Sequence, residues 1–317
     1  MQTTSPLPAW LRAHPAQWRP GTLDRDALHA QAGALAQREG HVDRCRQLAR
    51  EMLAVIDGME VARQVVHDTP AYLLLVCAMT LHHRRDRAKP ASGVTLTALT
   101  ELFTQGQPDR RFAGESHLRD MLAKVQRMGL LSPAPPAGDK RVHRFEPTPL
   151  LEEMFRVWVR AFLRVGPADE ARRWQGGALP PADWTYEVLS YRVAAWIEDG
   201  FVLNERFPLI REFMMHRHGY HVFLSLMEGL QLRGGEATAP LSMAALGERF
   251  EVARGTVRNT VRVAESAGHL DFDSRLGVAR LHPSFLQLAL HWMAMELTWM
   301  HGLASAAGSP NQGRQPA

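Results

Sequence analysis

The sequence lacks several features that would assign it early to a common class. No stretch approaches the run of about eighteen uncharged apolar residues that a membrane-spanning helix needs. The first ten residues, MQTTSPLPAW, contain no basic stretch followed by an apolar one, as a secretory signal would. Only two cysteines are present, Cys45 and Cys77, too few for a disulfide framework. We therefore expect a cytoplasmic protein without a membrane partner.

Catalytic and cofactor motifs are also missing from the sequence. It contains no phosphate-binding glycine loop, nucleophile elbow or metalloprotease helix. The segment HRHGYH places His216, His218 and His221 close together, but no cysteine or carboxylate cluster accompanies them at the spacing of a structural zinc site. We therefore expect no enzymatic activity, no cofactor and no bound metal.

The sequence carries little net charge, since its formal net charge is only +4. The distribution of charge is less even. Residues 71–165 carry 15 basic and 9 acidic residues, whereas residues 220–317 carry 8 of each. An anionic partner is therefore expected first along the 71–165 block.

The sequence does contain an internal repeat, and the order of its parts predicts a fold. Three helix-like segments recur in order: YLLLVCAMTL (72–81) with YHVFLSLMEG (220–229), LTELF (99–103) with LGERF (246–250), and residues 115–131 with residues 254–270. Each copy continues through turn residues to Pro149 or Pro283 and a helix carrying a tryptophan. Helix, helix, turn, helix and β-hairpin is the order of a winged helix-turn-helix.

We therefore predict a mainly α protein with small β-wings, in which two winged helix-turn-helix domains are joined and flanked by helices. The amphipathic 22–66 stretch, opened by TLDRD, reads as helix, as do residues 182–200 and 207–219. The expected organisation is an N-terminal helical arm (1–70), a first winged helix domain (71–165), a linker and helical connector (166–219, its clearest linker being 166–181), a second winged helix domain (220–303) and a disordered tail (304–317).

The third helix of the second copy should present arginines to solvent. On a helical wheel Val257, Val261 and Ala264 share one narrow arc and form the buried face. An unpaired arginine is costly to bury, so the polar side chains must point outward. These are the candidate DNA contacts of the second copy: Arg254, Thr256, Arg258, Asn259 and Arg262.

The third helix of the first copy gives a similar wheel. Leu118, Leu122 and Val125 form its buried face. The exposed side carries the candidate DNA contacts Ser116, His117, Arg119 and Lys124. A helix of this kind fits the major groove, where Arg and Asn can read guanine and adenine edges.

The segment LGERFEVARGTVRNTVRVAESAGHL (246–270) resembles the recognition-helix motif of GntR-type repressors, a winged-helix transcription factor family. The shared pattern is an arginine, then Gly-Thr-Val-Arg, then apolar positions ending in Gly and Leu. The resemblance implies that Arg254, Thr256 and Arg258 contact DNA. The family carries its single domain at the N-terminus, and AESAGHL replaces its leucine-rich end. The first copy, LRDMLAKVQRMGLL, looks more like a MarR-type helix.

Two hairpins and one loop supply further candidate contacts. The first hairpin (131–147) should carry Lys140, Arg141, His143 and Arg144 at its tip, suited to phosphates or the minor groove. The second (270–281) turns at Ser274–Gly277 and offers Arg275 and Arg280. The loop HHRRDRAK (82–89) is either another phosphate contact or a solvated loop.

The leading functional prediction is a transcriptional regulator that binds double-stranded DNA and reads an asymmetric operator with two unlike winged helices. Two alternatives stay open: a plasmid replication initiator that binds iterated repeats, and a tandem winged-helix scaffold that binds protein. The 22–66 helix could serve as a homodimer contact. A small apolar effector could bind among the tryptophans of the apolar helices, which are Trp158, Trp184, Trp196, Trp292 and Trp299.

Overall fold

The computed structural model describes residues 25–66, 69–86, 88–89, 92–104, 114–135, 142–166, 168–199, 207–216 and 218–308. These residues form a mainly helical protein with two small antiparallel sheets. The prediction of a mainly α protein with small β elements is confirmed at this level.

Among the described residues, three helices precede the first repeat: α1 (Arg25–Ala36), α2 (His41–Gly58) and α3 (Glu60–Val66). The single helical stretch expected over 22–66 is interrupted at Gly40, whose φ is 76°, and at the extended Met59. The predicted TLDRD cap lies largely outside the described residues. Along α2, apolar residues spaced three and four apart are buried, namely Cys45, Leu48, Ala49, Met52, Leu53 and Ile56.

The first repeat, residues 69–163, begins with α4 (Thr69–His83). It continues with β1 (Val94–Thr95), α5 (Leu96–Thr104), α6 (Glu115–Arg127), β2 (Leu131–Pro133), β3 (Arg144–Pro147) and α7 (Pro149–Leu163). Strand β3 lies in the centre of the sheet and pairs antiparallel with both β1 and β2. Thr148 caps α7 by accepting a hydrogen bond from the Leu151 amide, and Pro149 starts the helix.

In the described part of the connection between the repeats there are three helices: α8 (Ala168–Gln175), α9 (Ala182–Asp199) and α10 (Pro208–Met215). The helices predicted over 182–200 and 207–219 are thus present. The prediction of a linker over 166–181 is wrong for its first half, because α8 lies there. Trp174 explains the difference, since its ring is buried and stacks on Trp184 with centroids 6.0 Å apart.

The second repeat, residues 219–306, begins with α11 (Gly219–Glu228). It continues with β4 (Gln231–Arg233), β5 (Glu236–Pro240), α12 (Met243–Arg249), α13 (Arg254–Ser266), β6 (Leu270–Asp273), β7 (Val278–Leu281) and α14 (Pro283–Ala306). The strand order is β4-β5-β7-β6. Strands β5, β7 and β6 therefore match β1, β3 and β2 of the first repeat, and β4 is an addition. Helix α14 extends into the segment predicted to be a disordered tail, whose last nine residues, 309–317, lie outside the described residues.

The two repeats end their third helices in the same way. Gly129 and Gly268 both have positive φ, 72° and 70°. The next amide in each case donates back to the helix, from Leu130 to the Val125 carbonyl (3.0 Å) and from His269 to the Ala264 carbonyl (2.9 Å). This helix ending needs a left-handed residue, which explains the glycine in each copy.

The N-terminal helices form part of the central core. Helix α2 packs against α11, α7 and α14, and α1 packs along α14. The side chains of Leu48, Met52 and Ile56 are at most 2% exposed. The apolar face that we expected to offer a homodimer contact is therefore covered within the chain, so a dimer would have to use another surface.

Candidate nucleic-acid interface

A tight turn between α12 and α13 sets the direction of α13. Glu251 adopts a left-handed conformation with φ of 54°, and the Val252 amide donates to the Gly247 carbonyl at 2.9 Å. A Cβ atom at Gly247 would lie 3.0 Å from the Val252 carbonyl oxygen, so a side chain there would force the turn open. The backbone thus holds α13 at a defined angle to α12.

The buried face of α13 is formed by the residues that the sequence predicts to be buried. Val257, Val261 and Ala264 are 0%, 1% and 0% exposed. Thr260 is also buried, and its hydroxyl donates to the Thr256 carbonyl at 3.2 Å. Packing of this face against α11, α12 and β6 fixes the rotation of the helix about its axis.

The outer face of α13 carries arginines that have no ion-pair partner. Arg254, Arg258 and Arg262 are exposed, as is Asn259, whereas Thr256 is partly exposed. Within the described ranges, no carboxylate lies at ion-pair distance from any of the three guanidinium groups. Their N–H donors therefore face solvent on one side of one helix.

The β6–β7 hairpin adds two more arginines beside a rigid tip. Asp273 Oδ1 accepts hydrogen bonds from the amides of Arg275 (2.9 Å) and Leu276 (3.0 Å). Arg275 and Arg280 are exposed, and neither forms an ion pair with a residue that the structure describes. Leu276 at the tip is 66% exposed, more than the other large apolar side chains described as exposed.

Most carboxylates of the second repeat are occupied elsewhere. Glu265 accepts from the Phe272 amide at 3.0 Å, and Asp273 is used in the turn. Asp271 lies opposite Arg280 in the β6–β7 register, yet it hydrogen-bonds to His282 at 3.0 Å. Glu251 pairs with Arg63. These carboxylates are thus engaged in contacts other than ion pairs with the exposed arginines.

Helix α6 of the first repeat differs in its charge. Leu118, Leu122 and Val125 are buried, as predicted, while Ser116, His117 and Arg119 are exposed and Lys124 is partly exposed. Arg119 donates to Glu115 one turn earlier, with the nitrogen 2.7 Å from the carboxylate oxygen. The outer face of α6 is therefore mixed: Arg119 pairs within the helix, whereas Arg127 at its end is exposed and forms no ion pair with a described residue.

Only the base of the first hairpin lies within the described residues. Arg144 is partly buried and donates to the Pro135 carbonyl at 3.3 Å, and His143 is exposed. Lys140 and Arg141, which were predicted at the tip, lie outside the described residues.

The arginines in the first half of the segment 82–89 pair with carboxylates, instead of forming a phosphate contact or a solvated loop. Arg84 is 6% exposed and pairs with Glu187 of α9 at 3.3 Å, and His83 contacts the same carboxylate at 3.2 Å. Burial raises the pKa of Glu187, but the hydrogen bond from His83 and the charge of Arg84 outweigh it and lower the pKa. Arg85 pairs with Glu146 of β3 at 3.1 Å. Both expectations for these arginines are wrong, because their partners lie far away in the sequence.

Of the histidine and cysteine side chains singled out in the sequence, His218, His221, Cys45 and Cys77 are buried, and His216 is partly exposed. The ring of His221 stacks on Phe250 at 4.6 Å and lies beside His218. In the part of the chain that the structure describes, no three His, Cys, Asp or Glu side chains could together hold a metal ion. Burial raises the pKa of the Cys45 thiol to about 12, so it stays protonated.

The tryptophans predicted to line an effector cavity contact other parts of the chain. Trp158, Trp184, Trp292 and Trp299 are each at most 9% exposed. Trp184 donates to the Gly308 carbonyl at 2.8 Å, and the Trp292 ring meets Phe223 edge to face at 5.4 Å. The side chain of Trp196 lies outside the described residues.

Comparison of the chain with protein-family models, with curated protein sequences and with solved structures finds no significant match. No helix among the described residues is long and apolar enough to cross a membrane. The surface formed by α13 and the β6–β7 hairpin, with three exposed arginines on the helix and two on the hairpin, is thus the feature of the described chain from which a function can be argued.

Proposed function

We propose that the protein is a transcriptional regulator that binds double-stranded DNA sequence-specifically, with each repeat a winged helix-turn-helix. The observation that carries the proposal is the set of exposed arginines on α13 and the β6–β7 hairpin that have no carboxylate partner among the described residues. This set consists of Arg254, Arg258, Arg262, Arg275 and Arg280.

The order of elements supports the winged-helix part of the proposal. In each repeat three helices are followed by an antiparallel hairpin, and a strand between the first two helices pairs with the second strand of that hairpin. In winged helices the third helix enters the major groove and the hairpin flanks it. Arg258, Arg262 and Asn259 would then read base edges, and Arg275 and Arg280 would contact backbone or minor groove.

The lack of pairing argues against a merely solvated face. On such helices acidic and basic residues alternate at spacings of three or four, as Glu115 and Arg119 do on α6. Arg254, Arg258 and Arg262 are instead spaced four apart without an acid between them. Like charges at this spacing repel one another, and a polyanion would relieve that repulsion.

The two repeats should contribute unequally to binding. The paired surface of α6 offers less free positive charge than α13, so the second repeat should supply most of the base readout. An operator bound in this way is asymmetric, because the two helices present different side chains.

The test is selection of bound sequences from a random duplex library at roughly physiological salt. We expect one compact asymmetric motif, which loses definition at particular positions with Arg258→Ala and is unchanged with the matched variant Arg119→Ala. Weak binding that is blind to sequence, or no binding, would overturn the proposal and favour a scaffold that binds protein. Recovery of iterated direct repeats would instead favour a replication initiator.

A further inference from the structure

The helices that precede the two repeats are exchanged between them. Helix α2 precedes the first repeat but packs most extensively against α11, the first helix of the second repeat. Helix α9 precedes the second repeat but packs most extensively against α4, the first helix of the first repeat. Both exchanged helices contain 18 residues. The chain therefore consists of two similar halves, 41–166 and 182–308, that are interlocked.

Equivalent residues of the exchanged helices make equivalent contacts. Arg46 of α2 and Glu187 of α9 are each the sixth residue of their helix. Arg46 Nε donates to the Leu230 carbonyl at 2.6 Å, just after α11 ends. Glu187 accepts from His83 and Arg84, where α4 ends. Each exchanged helix is thus fastened at the same place on the other half.

The eleventh residues of the two helices form a second matched set. Glu51 of α2 pairs with Arg164, just after α7, at 3.0 Å. Arg192 of α9 pairs with Glu296 of α14 at 3.1 Å. The two pairs tie the exchanged helices to the last helices of their own halves, with the charges reversed.

The Arg192–Glu296 pair lies where the two halves meet. Its guanidinium group lies 4.3 Å from the ring centre of Trp299 and 5.3 Å from that of Trp158 in the other half. The Tyr72 and Tyr220 side chains, one from the first helix of each repeat, also lie near this pair. Burial lowers the pKa of Arg192, but the adjacent Glu296 carboxylate outweighs it and raises the pKa. Arg192 therefore stays charged.

Helices α2 and α3 also contact α12, the helix that precedes α13, and the turn between α12 and α13. Arg249 of α12 donates to both carboxylate oxygens of Asp57 at the end of α2, the shortest distance being 2.7 Å. Arg63 of α3 pairs with Glu251 in the turn before α13. The position of α13 is thus tied to helices that belong to the first half of the chain.

We infer that the exchanged helices hold the two repeats at one fixed separation and orientation, without needing an unbroken chain between the halves. The connecting segment packs on the protein through Trp174, which stacks on Trp184, but its glycine pair lies on the surface, where Arg160 donates to the Gly177 carbonyl at 3.0 Å. Gly176 and Gly177 are exposed, and Cβ atoms there would meet nothing within 4 Å. Resting on the proposed function, the consequence is that the protein accepts its two half-sites at one spacing only.

The experiment measures the distance between the repeats in intact and cleaved protein. Spin labels are attached through Ser132→Cys on β2 and Ser266→Cys at the end of α13, both exposed. Cys45 and Cys77 are 0% exposed and should not react. A protease site is inserted between Gly176 and Gly177. Cleavage is verified by separation of the fragments in about 6 M urea, a concentration that unfolds most domains of marginal stability.

We expect one narrow distance distribution that is unchanged after cleavage, with both fragments eluting together in native buffer. A broad distribution, a change of distance on cleavage, or separation of the fragments would overturn the inference. Addition of the duplex recovered by selection should leave the distance unchanged, and a shift would also overturn it. If no duplex is recovered, the proposed function fails, but the result without DNA still decides the inference.

Discussion

The two repeats share one architecture but use their charged residues in opposite ways. In and just after the first repeat, Arg84, Arg85, Arg119 and Arg164 all pair with carboxylates. In the second repeat, Arg249 pairs with Asp57 and Glu228, whereas the arginines of α13 and of the β6–β7 hairpin pair with no described carboxylate. The ion pairs beside the exchanged helices also differ, since Arg192–Glu296 is buried and Arg164–Glu51 is partly exposed.

This difference indicates that pairing, rather than net charge, decides which arginines are available to the anionic partner of the proposed function. The 71–165 block has an excess of basic residues, and the expectation of an anionic partner began there. Among its described residues, however, much of the positive charge is used to hold elements together. The 220–317 block has no excess, yet several of its acids bind backbone, histidine or distant arginines. Its exposed arginines are therefore available.

The largest expected effect concerns the buried pair. Arg192→Ala removes the partner of Glu296, whose side chain is 6% exposed, and leaves a buried charge uncompensated. Breaking such a pair costs about 3–5 kcal/mol of folding stability. Urea unfolding at neutral pH measures this loss.

The matched variant Arg164→Ala removes the equivalent pair, in which Arg164 is 33% and Glu51 17% exposed. Water can solvate the remaining charge, so we expect a loss of roughly 1 kcal/mol. Equal losses in the two variants would show that the pairs, and hence the two halves, are not energetically different.

The next effect concerns recognition. Arg258→Ala should weaken binding to the selected duplex by about 1–3 kcal/mol, because an arginine that reads guanine contributes that much discrimination. Titration of a labelled duplex measures the change. Arg119→Ala on α6 removes a guanidinium group that already pairs with Glu115, so its effect should be several-fold smaller.

The opposite ranking, with Arg119→Ala the more harmful variant, would place the main recognition surface on the first repeat. Circular dichroism spectra and unfolding midpoints of both variants serve as the control. Both side chains are exposed, so neither substitution should change the fold.

Features encoded by short-range patterns could be predicted from the sequence. The rotation of α6 and α13 follows from apolar residues three and four apart, and Leu118, Val257 and Val261 are buried as expected. The glycines that end both helices and the prolines that begin α7 and α14 have local causes as well. Even the missed β4–β5 hairpin carries a local signal, the Gly234–Gly235 pair.

Features that depend on distant partners could not be predicted. The sequence around Arg84 reads as a basic loop, and only the packing of α9 against α4 brings Glu187 to it. Likewise, the apolar spacing in α2 predicts a buried face but not which helix covers it. Strand β1 has only two residues, too few to produce an alternating pattern. Whether an arginine is free for a ligand is therefore a property of the tertiary structure.

A smaller difference in DNA affinity is expected between arginine substitutions at the two ends of the second sheet. Arg275→Ala removes one positive charge beside the β6–β7 tip, so affinity should fall alike for all sequences. The magnitude of the slope of log affinity against log salt concentration should decrease by about one, because one phosphate contact is lost. Arg233→Ala removes an equally exposed charge on β4, at the other end of the sheet, and should change neither quantity. A salt titration of both variants checks the result, and equal changes would mean that the hairpin tip has no special role.

The smallest expected effect is a difference between the two repeats in the pH dependence of folding stability. His269 of the second repeat occupies the position of Leu130 in the first, and both are at most 1% exposed. Burial lowers the pKa of His269 below the ordinary histidine value of 6.5, although Glu212 partly opposes this. As the pH falls through 6.5, the unfolded chain therefore takes up a proton before the folded one, and stability decreases.

His269→Leu gives the second repeat the residue of the first and should remove part of this acid sensitivity. The remainder belongs to other groups, including His41 and His291, whose pKa values burial also lowers. Unfolding midpoints between about pH 5.5 and pH 7.5 should fall less steeply for the variant, because at most one proton of uptake is lost. An unchanged pH dependence would mean that His269 takes up its proton equally in both states, and that the ring stack on Phe285, at 4.7 Å, does not exclude the charged form.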